Sequence, residues 1–191
     1  LKIPSVLDDR YGFGASIRIE DRPVVFIGPY EHHSNELPWR ESIADLVIID
    51  EDADGHVSLE HLERELIRHA DRSTLIGSFS AASNVTGIIT DTVAVSTLLH
   101  EHRALSLWDY AAAAPYVPIE MGSSADGNLA YKDAIFISPH KLIGGPGTPG
   151  VLVARRELFT NRVPDVPGGG TVRYVSTAEH DYLPEIEHRE E

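Results

Sequence analysis

The sequence has no cysteine, which excludes disulfides, thiolate metal sites and a cysteine nucleophile within these residues and is compatible with a reducing compartment. It is also poor in positive charge: 16 lysines and arginines stand against 30 acidic residues, a formal net charge of −14. Such a field repels phosphate backbones and anionic lipid surfaces, so neither a nucleic acid nor a membrane is an expected partner. No apolar run approaches the roughly 18–20 residues of a membrane span. Leu1 to Arg10 lack the basic-then-apolar order of a signal peptide. These absences lead to the expectation of a soluble, cytoplasmic protein.

What remains is a chain of 191 residues, 42% of them hydrophobic, enough to bury one sizeable core in a single domain over residues 1–191. Short apolar runs rich in valine and isoleucine recur at Val24–Ile27, Leu46–Ile49, Ser73–Phe79, Ala104–Trp108, Ala134–Ile137 and Val151–Ala154. Their continuous rather than alternating hydrophobicity predicts strands covered on both faces. Between them, Leu59, Leu62, Leu66 and Ile67 recur at helical spacing behind Ser58, a natural N-cap. A second helix is expected to start at Thr90 or Asp91 and to carry Ala94, Val95, Leu98 and Leu99 on one stripe. Strands alternating with such helices predict an α/β fold, a mainly parallel sheet with helices on both faces. Ligands of such sheets bind beyond the carboxyl ends of the strands.

One residue or one turn past the predicted strands stand His32, Asn84, Asp109 and the group Ser138, His140 and Lys141. If the topology is right, these groups converge on one rim. Lys141 is one of three lysines; Lys2 lies near the terminus and Lys132 in a polar segment. A lysine held at a strand end away from bulk water has its ammonium form disfavoured, which frees the amine to form a Schiff base; a solvated surface lysine is the other reading. Asp109 is delivered from the end of a buried run, where a carboxylate needs a cationic partner. An arginine of the fold or a protonated pyridine nitrogen would serve.

Other patterns compete. Asp50, Asp52, Asp54 and Gly55 reproduce the opening of a calcium-binding loop, but position twelve is His61 instead of a bidentate glutamate. Gly145, Gly147 and Gly150 match a dinucleotide fingerprint, yet they lead into the strand-like Val151–Val153 where that motif demands a helix. His100 and His102 are expected on a helix surface, and His33 beneath its loop, so no metal site is assigned.

Five short segments occur together and in order: Glu31-His32-His33-Ser34-Asn35 with Pro38-Trp39, Ser83-Asn84-Val85-Thr86-Gly87, Trp108-Asp109-Tyr110-Ala111, Ser138-Pro139-His140-Lys141 and Gly168-Gly169-Gly170-Thr171. In these the chain resembles class V aminotransferase-like enzymes, a family that includes cysteine desulfurases and selenocysteine lyases and uses pyridoxal 5′-phosphate (PLP) on a fold-type-I large domain. The resemblance implies that Lys141 forms the Schiff base and then shuttles the substrate proton. Asp109 would pair with the pyridine nitrogen, His32 would stack on the cofactor ring, and Asn84 would donate to the phenolic oxygen. Ser138 and His140 would hold the phosphate, while Thr171 would reach the phosphate of a neighbouring subunit, implying a homodimer. Catalysis would rest on Lys141 and His32, acting on an amino-acid substrate.

Two departures qualify this. Where the family commonly places a glutamine near the phenolic oxygen the chain has Ala112, which cannot donate that bond. The family's early phosphate loop and its small C-terminal domain, with the arginine that grips the substrate carboxylate, are not visible. The chain begins on Leu1 and closes on the charged run Glu185 to Glu191. It is therefore expected to be a piece of a longer protein that alone binds PLP weakly or not at all and lacks turnover. The alternative function is a non-catalytic α/β interaction module, with calcium at Asp50 to Asp54.

Overall fold

Val24–Ile27 forms β1, whose four residues are at most 1% exposed. That burial follows from its place in the sheet. In the computed structural model, which describes residues 1–189, β1 is flanked by β2 (Asp45–Ile48) and β3 (Leu75–Ser80), both parallel to it. Glu190 and Glu191, the end of the charged run, lie outside the described residues. The sheet continues through β4 (Leu105–Asp109) and β5 (Ala134–Ile137), each parallel to its predecessor, and closes with antiparallel β6 (Val151–Ala154). The order is β2-β1-β3-β4-β5-β6, so the mostly parallel α/β sheet expected from the apolar runs is present, with one reversed edge strand. The chain leaves β1 toward β2 and returns on the other side as β3. This reversal opens a crevice at the carboxyl ends of β1 and β3, where sheets of this kind bind ligands.

Two short helices, α1 (Ser5–Tyr11) and α2 (Phe13–Ser16), precede β1. A third, α3 (His33–Arg40), follows it despite Pro38 in its interior. That proline and the polar residues around it conceal the helical period in the sequence. Helix α4 (Leu59–Arg68) is capped by the Ser58 hydroxyl, which accepts the His61 amide at 3.2 Å, and it buries Leu62 and Leu66 completely. Helix α5 (Thr92–Glu101) is capped by the Asp91 carboxylate, which accepts the Val93 and Ala94 amides. Its Leu99 reaches so close to β3 that a Cβ on Gly77 would stand 2.4 Å from the leucine side chain. Glycine there is a requirement of helix–sheet packing. Trp108 on β4 is fully buried and donates its indole N–H to Ser106 and Ser96 at 2.8 and 3.0 Å, so its polar edge is satisfied inside the core. Complete burial of each of these large apolar side chains contributes about 1.5–3 kcal/mol.

The described chain forms two compact units, Leu1–Ala154 and the residues from Arg155 on. The second contains the antiparallel hairpin β7 (Val172–Val175) and β8 (His180–Tyr182). The acidic turn after β2 folds on itself. Asp52 accepts the amides of Asp54 and His56, both at 2.9 Å, and the Asp50 amide donates to the His61 ring. Among the described residues no group of three or more histidines and carboxylates is arranged to hold a metal ion.

Candidate active site

Four strands deliver the polar groups. After β1, a tight turn leads to His32, the N-cap of α3. After β3 the chain turns back through Ala82, bridged to Ile89, with Asn84 on the turn. Asp109 ends β4, and β5 runs into Ser138 and one 3-10 turn, Pro139–Lys141. His32, Asn84, Asp109, Ser138, His140 and Lys141 line one cavity of about 320 Å³. Ala111 and Ala112 form part of its wall. A groove of about 780 Å³ along α3 is larger, but its walls are largely apolar, with Leu1, Leu37, Pro38 and Trp39. The groove also carries Lys2, His33 and Glu41, but the groups delivered from the strand ends gather in the smaller cavity.

The local geometry fixes two of these side chains. One Asp109 carboxylate oxygen, Oδ1, accepts the Ala111 amide at 2.7 Å, which holds the carboxylate at the cavity wall. His32 Nδ1 accepts the Ser34 amide at 3.2 Å and lies 2.8 Å from the Ser34 hydroxyl. A backbone N–H can only donate, so Nδ1 carries the lone pair and the neutral ring bears its proton on Nε2.

Four expectations need correction. Lys141 is exposed instead of shielded, because it ends a single turn and precedes the loop Leu142–Gly150, in which only Gly145 is buried. Lys132, assigned to a polar segment, is the buried lysine: it is 4% exposed, its Nζ donates to the Glu120 carbonyl at 3.0 Å, and burial lowers its pKa. His100 is not on a helix surface. Its side chain is 5% exposed, bonded to Asp133 at 2.9 Å and stacked on Tyr131. His33, expected beneath its loop, is exposed. Thr171 belongs to the second unit, where it is fully buried and its hydroxyl is engaged with Gly168.

Sequence reasoning assigned no role to Glu31. Desolvation raises its pKa, while hydrogen bonds from Ser80, Asn35 and the Gly28 amide act in the opposite direction. The available signal was a carboxylate immediately after the turn that ends a fully buried strand.

A largely parallel sheet whose carboxyl edge brings a lysine, an aspartate and a histidine to one cavity matches part of the large domain of PLP-dependent fold-type-I proteins. The chain belongs to the class-V aminotransferase family, whose pattern matches residues 12–190. It is 30% identical over 165 residues to a probable cysteine desulfurase from Mycobacterium leprae, covering 84% of this chain and 36% of that protein. The structure of an apo cysteine desulfurase from Thermococcus onnurineus superimposes with a TM-score of 0.70 at 25% identity, over 89% of this chain and 41% of the other. The cysteine desulfurase CsdA from Escherichia coli gives a TM-score of 0.68 at 27% identity, over 87% and 40%. The chain thus spans well under half the length of these relatives. Class-V aminotransferases and cysteine desulfurases are PLP-dependent.

Proposed function

We propose that the chain forms part of the cofactor-binding domain of a PLP-dependent enzyme acting on an amino acid, of the cysteine desulfurase or selenocysteine lyase kind or an aminotransferase. The observation that carries this reading is the convergence of an amine, a carboxylate, two imidazoles, an amide and a hydroxyl from four strand ends on one cavity.

The chemistry of that donor set fits PLP. The Asp109 carboxylate would hold the pyridine nitrogen in its cationic form, and Asn84 would donate to the phenolic oxygen. Ser138 and His140 would hold the phosphate, His32 would stand against the ring face, and Lys141 would be the amine that meets the aldehyde carbon. Bound there, PLP supplies an electron sink that weakens a bond at the α-carbon of an amino acid. Lys141 Nζ would carry the proton to and from that carbon, and an exposed position at the cavity rim leaves its side chain room to swing between the two tasks. His32 would present Nε2–H, a donor, in its neutral form.

In this reading both compact units belong to one large domain, the protein is a cytoplasmic homodimer, and Thr171 contributes to the neighbouring site. That contribution requires the Thr171 hydroxyl to exchange its bonds with Gly168. The test mixes the chain and Asp109→Ala with excess PLP and traps even weak binding with borohydride. A pyridoxyl group that the variant loses supports the reading; equal trapping in the two proteins contradicts it.

A further inference from the structure

We propose that Glu31 is a positioning residue for His32: its carboxylate, clamped to the end of β3, fixes where the imidazole stands at the cavity. The chemistry His32 would serve rests on the reading above, whereas the clamp itself is a property of this chain.

Glu31 is surrounded by donors. Its Oε1 accepts the amides of Ser80 at 2.9 Å and Gly28 at 3.2 Å, and its Oε2 accepts the Ser80 hydroxyl at 2.6 Å and Asn35 Nδ2 at 2.7 Å. Asn35 reaches the same strand: its Nδ2 donates to the Ser78 carbonyl at 3.2 Å and its Oδ1 accepts the Ser78 hydroxyl at 2.6 Å. Ser78 and Ser80 are two residues apart on β3 and so share a face. The residue before His32 and the residue three after it are therefore both pinned to adjacent positions of one buried strand. His32 is bracketed between them, with its own carbonyl accepting the Asn35 amide at 2.8 Å. Its ring cannot shift as a unit with the turn unless one of these clamps opens.

The clamp is specific for a carboxylate. The Gly28 and Ser80 amides can only donate. Asn35 cannot flip to become an acceptor, because its Nδ2 also serves the Ser78 carbonyl, which only accepts. Both oxygens at position 31 must therefore accept, which glutamine cannot do despite its identical shape. Withdrawal of this carboxyl group from water is costly, and the four donated bonds offset only part of that cost.

The experiment is nitrogen NMR of histidine-labelled chain without cofactor, with His32→Gln locating the ring signal. The wild type should show an unprotonated Nδ1 and a protonated Nε2. Glu31→Gln should shift the His32 signal and mix its tautomers while the other histidines and the circular dichroism hold still. Ser80→Ala, which removes one donor, should move the same signal in the same direction by less. PLP affinity of Glu31→Gln should fall about fivefold, the worth of one misplaced aromatic contact. A folded Glu31→Gln with the wild-type His32 signal overturns the proposal, and so does an unmoved signal in Ser80→Ala if Glu31→Gln fails to fold. If borohydride traps no PLP on Lys141 of the wild-type chain but the His32 signal moves, the functional reading fails and the positioning role stands.

Discussion

Asp109 turns one carboxylate oxygen onto the amide of Ala111, 2.7 Å away, and is held by that bond at the wall of the cavity. An asparagine can keep this bond through its carbonyl oxygen while removing the charge. Asp109→Asn should therefore unfold within about 0.5 kcal/mol of the wild type in urea. Its PLP affinity should fall at least about tenfold, because the ring nitrogen loses its anionic partner. Equal affinity in the two proteins would show that this carboxylate does not hold a cationic ring nitrogen.

Gly145, in the loop that follows Lys141, packs against the turn that carries the amine. A Cβ on Gly145 would stand 1.9 Å from the Pro139 carbonyl oxygen, which belongs to backbone and cannot swing aside. Gly145→Ala must displace the turn Pro139–Lys141, at a cost of about 1–3 kcal/mol. Thermal unfolding should register this loss, and PLP titration should show weakened binding. Gly147→Ala makes a useful comparison: there the space is open, and only the left-handed backbone, φ 87°, is strained.

The pH dependence of stability should carry the signature of Glu31. Desolvation raises its pKa in the folded state above the usual glutamate range. Between the unfolded and folded values the native protein therefore binds more protons than the unfolded chain, and stability falls as pH rises through that window. The Glu31 penalty is absent below the usual glutamate range and complete above the folded value. Urea midpoints of the wild type minus those of Glu31→Gln, measured from acid to neutral pH, should slope downward there; a flat difference would contradict the shift.

His100 and Asp133 form a buried pair, with side chains 5% and 6% exposed. His100 Nδ1 faces the Leu129 carbonyl at 2.7 Å and Nε2 faces Asp133 Oδ2 at 2.9 Å. The ring thus bridges the Leu129 carbonyl and the Asp133 carboxylate. Asp133 also accepts the Ser106 amide at 2.8 Å, which ties α5 to the start of β4. His100→Ala deprives a buried carboxylate of its imidazole and should cost about 3–5 kcal/mol in urea unfolding. A loss below about 1 kcal/mol would show that the pair is not a structural tie.

The strands were readable because a strand covered on both faces leaves an unbroken apolar run, as in Val24–Ile27, and the helices α4 and α5 because Ser58 and Asp91 mark their starts. The rim residues were readable for the same reason: each lies just past a run. What escaped depends on partners far along the chain. Glu31 meets Ser80 and His100 meets Asp133, 49 and 33 residues away. No local pattern distinguishes such groups from solvated ones. Helix α3 escaped because Pro38 breaks its period. The exposure of Lys141 escaped because a strand end predicts position in the sheet and says nothing of what covers the turn beyond it.

If Lys141 is the amine that meets the cofactor, the other two lysines of the chain supply the control. The chain is mixed with excess PLP, reduced with borohydride and mapped by peptide mass spectrometry, so that even weak binding is trapped. A pyridoxyl group is expected on Lys141 well in excess of that on exposed Lys2, and Asp109→Ala should lose it. Labelling of Lys2 alone, or equal labelling of Lys2 and Lys141, would contradict this role for Lys141.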